Sequence, residues 1–177
     1  STYRVLFKSL RSRGFTVKAL EKFGHDPKYP VTDNWRHVAE QLADFTRRAV
    51  DKAGEPGFLV GHSLGGFLSL LAAARHPELA RGVVLVDSPV LGGWRAATLG
   101  AAKRAQLVGA LSPGRVSRAR RNQWPDRDAA LAHFQHKKAF AAWDPQVLAD
   151  YIDRGTHDAD GQRVLSFDRD VETAFYN

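Results

Sequence analysis

The segment Gly61-His62-Ser63-Leu64-Gly65-Gly66 constrains the fold of this 177-residue chain more than any other. It follows the apolar run Phe58-Leu59-Val60 and precedes an apolar stretch from Phe67 to Ala74. A β run, Val83-Val84-Leu85-Val86, comes next. Strand, tight turn, helix and strand in that order make a βαβ unit with a crossover of ordinary length, so the two strands are expected to be parallel. Gly61 and Gly65 are expected to be required because a side chain at either would collide with the tight backbone. On such a turn Ser63 takes a positive φ and stands clear of the sheet, where a histidine can reach it. A serine hydroxyl is a weak nucleophile until an adjacent base activates it. The backbone N–H of Leu64, at a helix N-terminus, points toward a developing oxyanion. A bare Gly-x-Ser-x-Gly recurs by chance in about one in twenty chains of this length. The flanking strand and helix signals therefore carry the assignment.

The length suits one domain, or one domain with an insertion. Hydrophobic residues make up 44% of the chain, as in a globular protein, and no apolar run nears membrane-spanning length. The sequence contains no cysteine, which excludes disulfides, thiolate catalysis and cysteine-ligated zinc within it. No signal-peptide pattern is visible, and a cytoplasmic location is the expectation. The net charge is +7, and its placement is informative. Residues 91–125 hold seven cations, Arg95, Lys103, Arg104, Arg115, Arg118, Arg120 and Arg121, and no Asp or Glu. Elsewhere 19 basic residues balance 19 acidic ones. A one-sign segment attracts anionic ligands, or it is a solvated helix face. No nucleic-acid-binding motif or interleaved stacking aromatics accompany it, so nucleic acid is not an expected partner.

Tyr3, Leu6, Phe7 and Leu10 follow helical spacing, with Gly14 placed to end that helix. Residues 15–20 alternate enough to predict a short strand, and residues 21–32 a loop broken by Gly24, Asp26, Pro27 and Pro30. Asp33 is expected to cap a helix bearing Trp35, Val38, Leu42, Phe45 and Ala49 on one face. Residues 89–155 show little β character. Helical patterns cover residues 96–111, 127–140 and 145–154. Residues 164–167, after Asp160-Gly161, predict an extended segment, and residues 171–176 a last helix. There is no internal repeat.

The run from Phe58 to Asp87, with Gly-His-Ser-Leu-Gly-Gly, then Ala-Arg-His-Pro-Glu, then Gly-Val-Val-Leu-Val-Asp, resembles the α/β-hydrolase superfamily. It is similar to the branch of capped bacterial hydrolases that includes esterases, thioesterases and carbon–carbon bond hydrolases. The resemblance implies an α/β fold with a parallel sheet, residues 1–88 forming part of the core. It implies a helical cap over residues 89–160, inserted after the sixth core strand, and a return toward the core at 161–177. By the same resemblance residues 15–20 are the fourth strand, 58–60 the fifth and 83–86 the sixth. The third strand, the His-Gly oxyanion loop and the strands that carry the catalytic acid and histidine have no counterpart in the sequence. The expected sheet is therefore incomplete, the chain being a fragment or completed by strands from another chain.

The resemblance makes Ser63 the nucleophile, with the Leu64 N–H as an oxyanion donor. Asp87, at the end of the sixth strand, is a minor candidate for the triad acid and otherwise a turn residue before Ser88-Pro89. Trp94, after Gly92-Gly93, either lines the acyl pocket or packs at the joint of cap and core. His62 either lines the pocket or packs beside it. His76 reads as structural, His133 and His136 sit on an expected cap helix, and His157 lies in an expected polar loop. The implied activity is hydrolysis of an ester, thioester or activated carbon–carbon bond in a small acyl substrate, with no metal or cofactor. The charge of residues 91–125 would favour an anionic substrate. The alternative is a non-catalytic binding module of the same fold.

Overall fold

A computed structural model describes residues 2–88 and 120–176 of the chain. Two compact units emerge, and they do not follow chain order: residues 22–88 with 171–176, and residues 2–21 with 120–170.

The first unit holds the βαβ element. Helix α2 (Arg36–Ala53) buries Val38, Ala39, Leu42 and Ala43 along one face. It is not capped by Asp33. A 3₁₀ turn, Asp33–Trp35, precedes it, and Trp35 itself holds the N-cap position with φ 54 and no side-chain cap bond. That left-handed entry lets the Trp35 indole N–H donate to the Phe175 carbonyl at 3.0 Å and its ring meet Phe67 at 5.9 Å. Side-chain partners far along the chain thus override the local capping preference. Gly54, with φ 79, closes the helix.

Strand β1 (Gly57–His62) leads through Ser63 into α3 (Leu64–Arg75). The chain returns through a 3₁₀ turn, Pro77–Leu79, to β2 (Ala80–Val86). The two strands are parallel, with Val60 opposite Val84 and His62 opposite Val86, as the sequence predicts. Helix α3 packs on both strands and on α2, with Leu68 and Ala72 buried in the seam. Its C-terminal end is tied to α2 by His76, whose Nε2 lies 2.8 Å from Glu40.

Residues 15–20 form no strand. They run as irregular chain after α1 (Arg4–Ser12) and cluster with the other unit, while among the described residues β1 pairs only with β2. Alternating side chains fit a strand only where a neighbouring backbone is in register to pair with it. The outward residues of the pair stay exposed, Phe58 to 60% and Val60 to 52%.

The second unit differs from the expectation of an all-helical segment. It contains a three-stranded antiparallel sheet in the order β3-β5-β4, from β3 (Gln123–Trp124), β4 (Thr156–Ala159) and β5 (Gln162–Leu165). His157 therefore lies on a strand and not in a loop. The β4–β5 hairpin turns through Asp160 and Gly161, with φ 49 and 71, the left-handed pair that a two-residue turn needs. Helix α4 (Arg127–Gln135) stops earlier than its apolar spacing suggests, and residues 136–143 continue as turns. Asp126 caps α4 by accepting from the Ala129 N–H at 2.7 Å. Asp144 caps α5 (Pro145–Gly155) in the same way. Trp124, Ala130, Phe134, Leu148, Ile152 and Leu165 form the core. Helix α1 docks on α5, and the Arg4 guanidinium pairs with buried Asp150 at 2.8 Å. That hydrogen bond and charge hold the Asp150 carboxyl below its usual range. Helix α6 (Arg169–Tyr176) ends the described chain, and its residues 171–176, with Thr173 and Phe175 buried, belong to the first unit.

Candidate active site

Ser63 joins β1 to α3 with φ 52 and ψ −123. A non-glycine residue held there costs about 1–3 kcal/mol and persists only where its surroundings over-determine it. The surroundings do so by hydrogen bonds. The Ser63 N–H donates to the Val86 carbonyl at 2.9 Å, which ties the turn to the end of β2. Its carbonyl accepts from the Gly66 N–H at 3.0 Å and from the Ser88 hydroxyl at 2.8 Å. Among the described residues the Ser63 hydroxyl has no partner, and the residue is exposed.

The glycines divide the work differently from expectation. A Cβ at Gly61 would overlap the Gly65 carbonyl and the Gly66 nitrogen, so the strand can pass beneath the helix start only without a side chain there. Gly65 is not crowded: a Cβ there meets nothing within 4 Å among the described residues. The second crowded glycine is Gly66, where a Cβ would overlap the Ser88 hydroxyl and lie 2.7 Å from the Ser88 Cβ. The Gly65 carbonyl is instead used as an acceptor, by the Ser69 hydroxyl at 2.8 Å.

Leu64 is the first residue of α3, so its N–H has no partner within the helix. No acidic residue sits in that first turn. The positive end of the helix dipole is therefore not offset by the helix's own side chains, and it favours negative charge beside Ser63. Asp87 follows β2 with φ 46 and is exposed. Its backbone is that of a turn residue, and short polar side chains tolerate that conformation.

The other candidates lie apart from these contacts. Trp94 and the cations Arg95, Lys103, Arg104, Arg115 and Arg118, with the helix expected over residues 96–111, fall outside the described residues. His62 is the exposed last residue of β1. His76 braces α3 against α2. His136 bonds the Ala132 carbonyl through Nδ1 at 2.7 Å, and His157 the Ser166 hydroxyl at 3.2 Å. The His133 ring lies tilted against Trp124, with centroids 5.6 Å apart, and its buried Nε2 has no hydrogen-bond partner among the described residues. Burial lowers its pKa, and Lys137 and Arg121 lower it further. Ser88 is the site residue that sequence reasoning passed over. The signal was its position directly after the β2 run, two residues beyond the carbonyl that anchors Ser63. Among the described residues no group of three or more His, Asp or Glu could hold a metal ion. No helix among them is long and apolar enough to cross a membrane.

Comparison with known proteins places this geometry. Human monoglyceride lipase is 32% identical over 100 residues, 54% of this chain and 33% of that protein. A monoglyceride lipase homolog from Monkeypox virus is 27% identical over 157 residues, 82% of this chain and 56% of that protein. Chloroplastic pheophytinase from Arabidopsis thaliana is 37% identical over 62 residues, 35% of this chain and 12% of that protein. The chain thus spans from about a tenth to just over half the length of these relatives. Among solved structures, E-2-(acetamidomethylene)succinate hydrolase superposes with a TM-score of 0.69 at 24% identity, covering 98% of this chain and 59% of that one. A peroxisomal alpha-beta-hydrolase from Saccharomyces cerevisiae superposes at 0.58 and 15% identity, covering 83% and 39%. At those identities the likeness is one of fold. The description that matches residues 2–169 is the alpha/beta hydrolase fold, and with the strand–Ser63–helix turn in place this chain belongs to the alpha/beta hydrolase family.

Proposed function

We propose that this protein is a serine hydrolase that cleaves an ester, thioester or activated carbon–carbon bond of a small acyl substrate through an acyl-enzyme on Ser63. One observation carries it: an exposed serine held at positive φ between a parallel strand and the N-terminus of a helix. Relatives named as lipases support an ester.

In the first half-reaction the Ser63 Oγ forms a bond to the substrate carbonyl carbon and gives its proton to a base. The carbonyl electron pair moves to oxygen, where the Leu64 N–H and the α3 N-terminus stabilise it. Collapse breaks the bond to the leaving group, which takes the proton from the base. Water then repeats the sequence on the acyl-enzyme and restores the Ser63 hydroxyl. The base is a histidine oriented by an acid, in the order of events that such triads follow. The described residues do not bring either group to the Ser63 hydroxyl, and Asp87 is a minor candidate for the acid.

The test is turnover of p-nitrophenyl acetate by the full-length enzyme and by Ser63→Ala. The substitution should lower kcat/KM by at least about 10³-fold with the far-UV spectrum unchanged. Equal turnover by both proteins would overturn the proposal. No turnover by either would favour a non-catalytic binding module.

A further inference from the structure

We propose that Ser88 is a positioning residue for the oxyanion donor of this site, acting through the peptide bond between Ser63 and Leu64; this rests on Ser63 being the nucleophile. The Ser63 carbonyl and the Leu64 N–H belong to one peptide group, and that group is planar and trans. In a trans peptide the C=O and N–H vectors point in opposite directions. Whatever fixes the carbonyl therefore fixes the aim of the N–H on the other side.

Two donors converge on that carbonyl oxygen. One is the Gly66 N–H at 3.0 Å, which belongs to the helix start itself. The other is the Ser88 hydroxyl at 2.8 Å, which comes from the far side of the sheet crossover, 25 residues along the chain. Ser88 is 8% exposed, so water competes poorly for this bond. Its hydroxyl also lies 3.1 Å from the Val86 carbonyl, the group that accepts the Ser63 N–H. A hydroxyl has one proton, and the shorter contact makes the Ser63 carbonyl its main acceptor. Ser88 thus sits between the two carbonyls that hold the strained residue on either side.

Gly66 belongs to the same device. Its missing Cβ leaves the space that the Ser88 side chain fills. This explains why the crowded glycine is Gly66 and not Gly65. A donor on the carbonyl also polarises the amide, which makes the Leu64 N–H a stronger donor toward an oxyanion. With the hydroxyl removed, one of the two bonds that resist rotation of this peptide plane is lost, and the Ser63 ψ can drift from −123.

The full-length enzyme and its Ser88→Ala variant separate a positioning role from a packing role. Alanine keeps the Cβ that stands where a Gly66 side chain would go and removes only the hydroxyl. Active sites are counted by fluorophosphonate titration, so rates refer to folded enzyme. With p-nitrophenyl acetate, kcat should fall about tenfold, less than for loss of an oxyanion donor itself, with KM little changed. Inhibition by a trifluoromethyl ketone, which forms an oxyanion-bearing adduct on the serine, should weaken by the same factor. The matched methyl ketone should bind both proteins equally. A lower Tm with normal kcat per titrated site, or a change in KM alone, would make Ser88 a packing residue and overturn the proposal. Turnover that survives in Ser63→Ala would overturn the nucleophile assignment and this proposal with it. An unchanged Ser88→Ala beside an inactive Ser63→Ala would overturn this proposal alone.

Discussion

Around Ser63 the chain is held by backbone groups and one side-chain hydroxyl, that of Ser88. Carbonyls of Val86 and Ser63, N–H groups of Ser63 and Gly66, and two positions without a Cβ set the turn. Around Phe134 it is held by rings. Phe134 meets Phe140 at 4.9 Å, Tyr151 at 5.2 Å and Trp124 at 5.5 Å, from elements up to 27 residues apart. A backbone site has one solution and tolerates almost no added atom. A ring cluster has many partial solutions and loses free energy gradually as volume is removed. The first arrangement suits a group that must keep one orientation through a reaction. The second suits a core that only has to exclude water.

Substitutions can break or sharpen that contrast. Phe134→Ala should have the largest effect, destabilising the unit by about 3–5 kcal/mol in urea unfolding, because a 1% exposed ring is removed from the middle of the cluster. A loss below about 1 kcal/mol would mean the rings are not the core. Gly61→Ala adds one methyl group where backbone stands, and should cost about 1–3 kcal/mol or more. Its partner measurement is Gly65→Ala, which adds the same methyl group to open space inside a helix. That variant should be neutral or up to about 1 kcal/mol more stable, because alanine restricts the unfolded chain. Equal losses for the two would show that the turn does not distinguish its glycines.

The smallest effect is expected at His133. Its buried Nε2 has no partner among the described residues, and its pKa is lowered by burial first and by Lys137 and Arg121 next. The folded protein therefore binds that proton less readily than the unfolded chain. Stability from this residue is present above the unfolded pKa, near 6.5, and falls as pH drops toward the lower folded value. His133→Phe should remove that loss and be neutral, or better by about 1 kcal/mol, at neutral pH. Its advantage over wild type should grow between about pH 6.5 and pH 5. An advantage that shrinks on acidification would contradict the sign.

The same contrast explains what the sequence disclosed. The turn at Ser63 was legible because its causes are local: an apolar strand, three glycines and an apolar helix within a short segment. The role of Gly65 was misread because the pattern marks it while the collision belongs to Gly66, and only Ser88, folded back from β2, creates that collision. Residues 15–20 alternate like a strand and form none, since alternation carries no information about a partner. The β4–β5 hairpin was half visible. Asp160-Gly161 signals a turn and Val164 an extended segment, but His157 and Asp158 are polar and become a strand only through their pairing with Val164 and Arg163. Asp33 looked like a cap, and the Trp35 bond to Phe175, 140 residues away, overrode it.

The central proposal is that the turn presents Ser63 as the nucleophile of this chain, with its activation left to a base. The most direct measurement is treatment of the full-length protein with a fluorophosphonate followed by peptide mass spectrometry. The account predicts one adduct, on the peptide containing Ser63, formed by the native protein and lost on denaturation or in Ser63→Ala. An adduct on a different serine, or labelling of Ser63→Ala as complete as that of wild type, would contradict it.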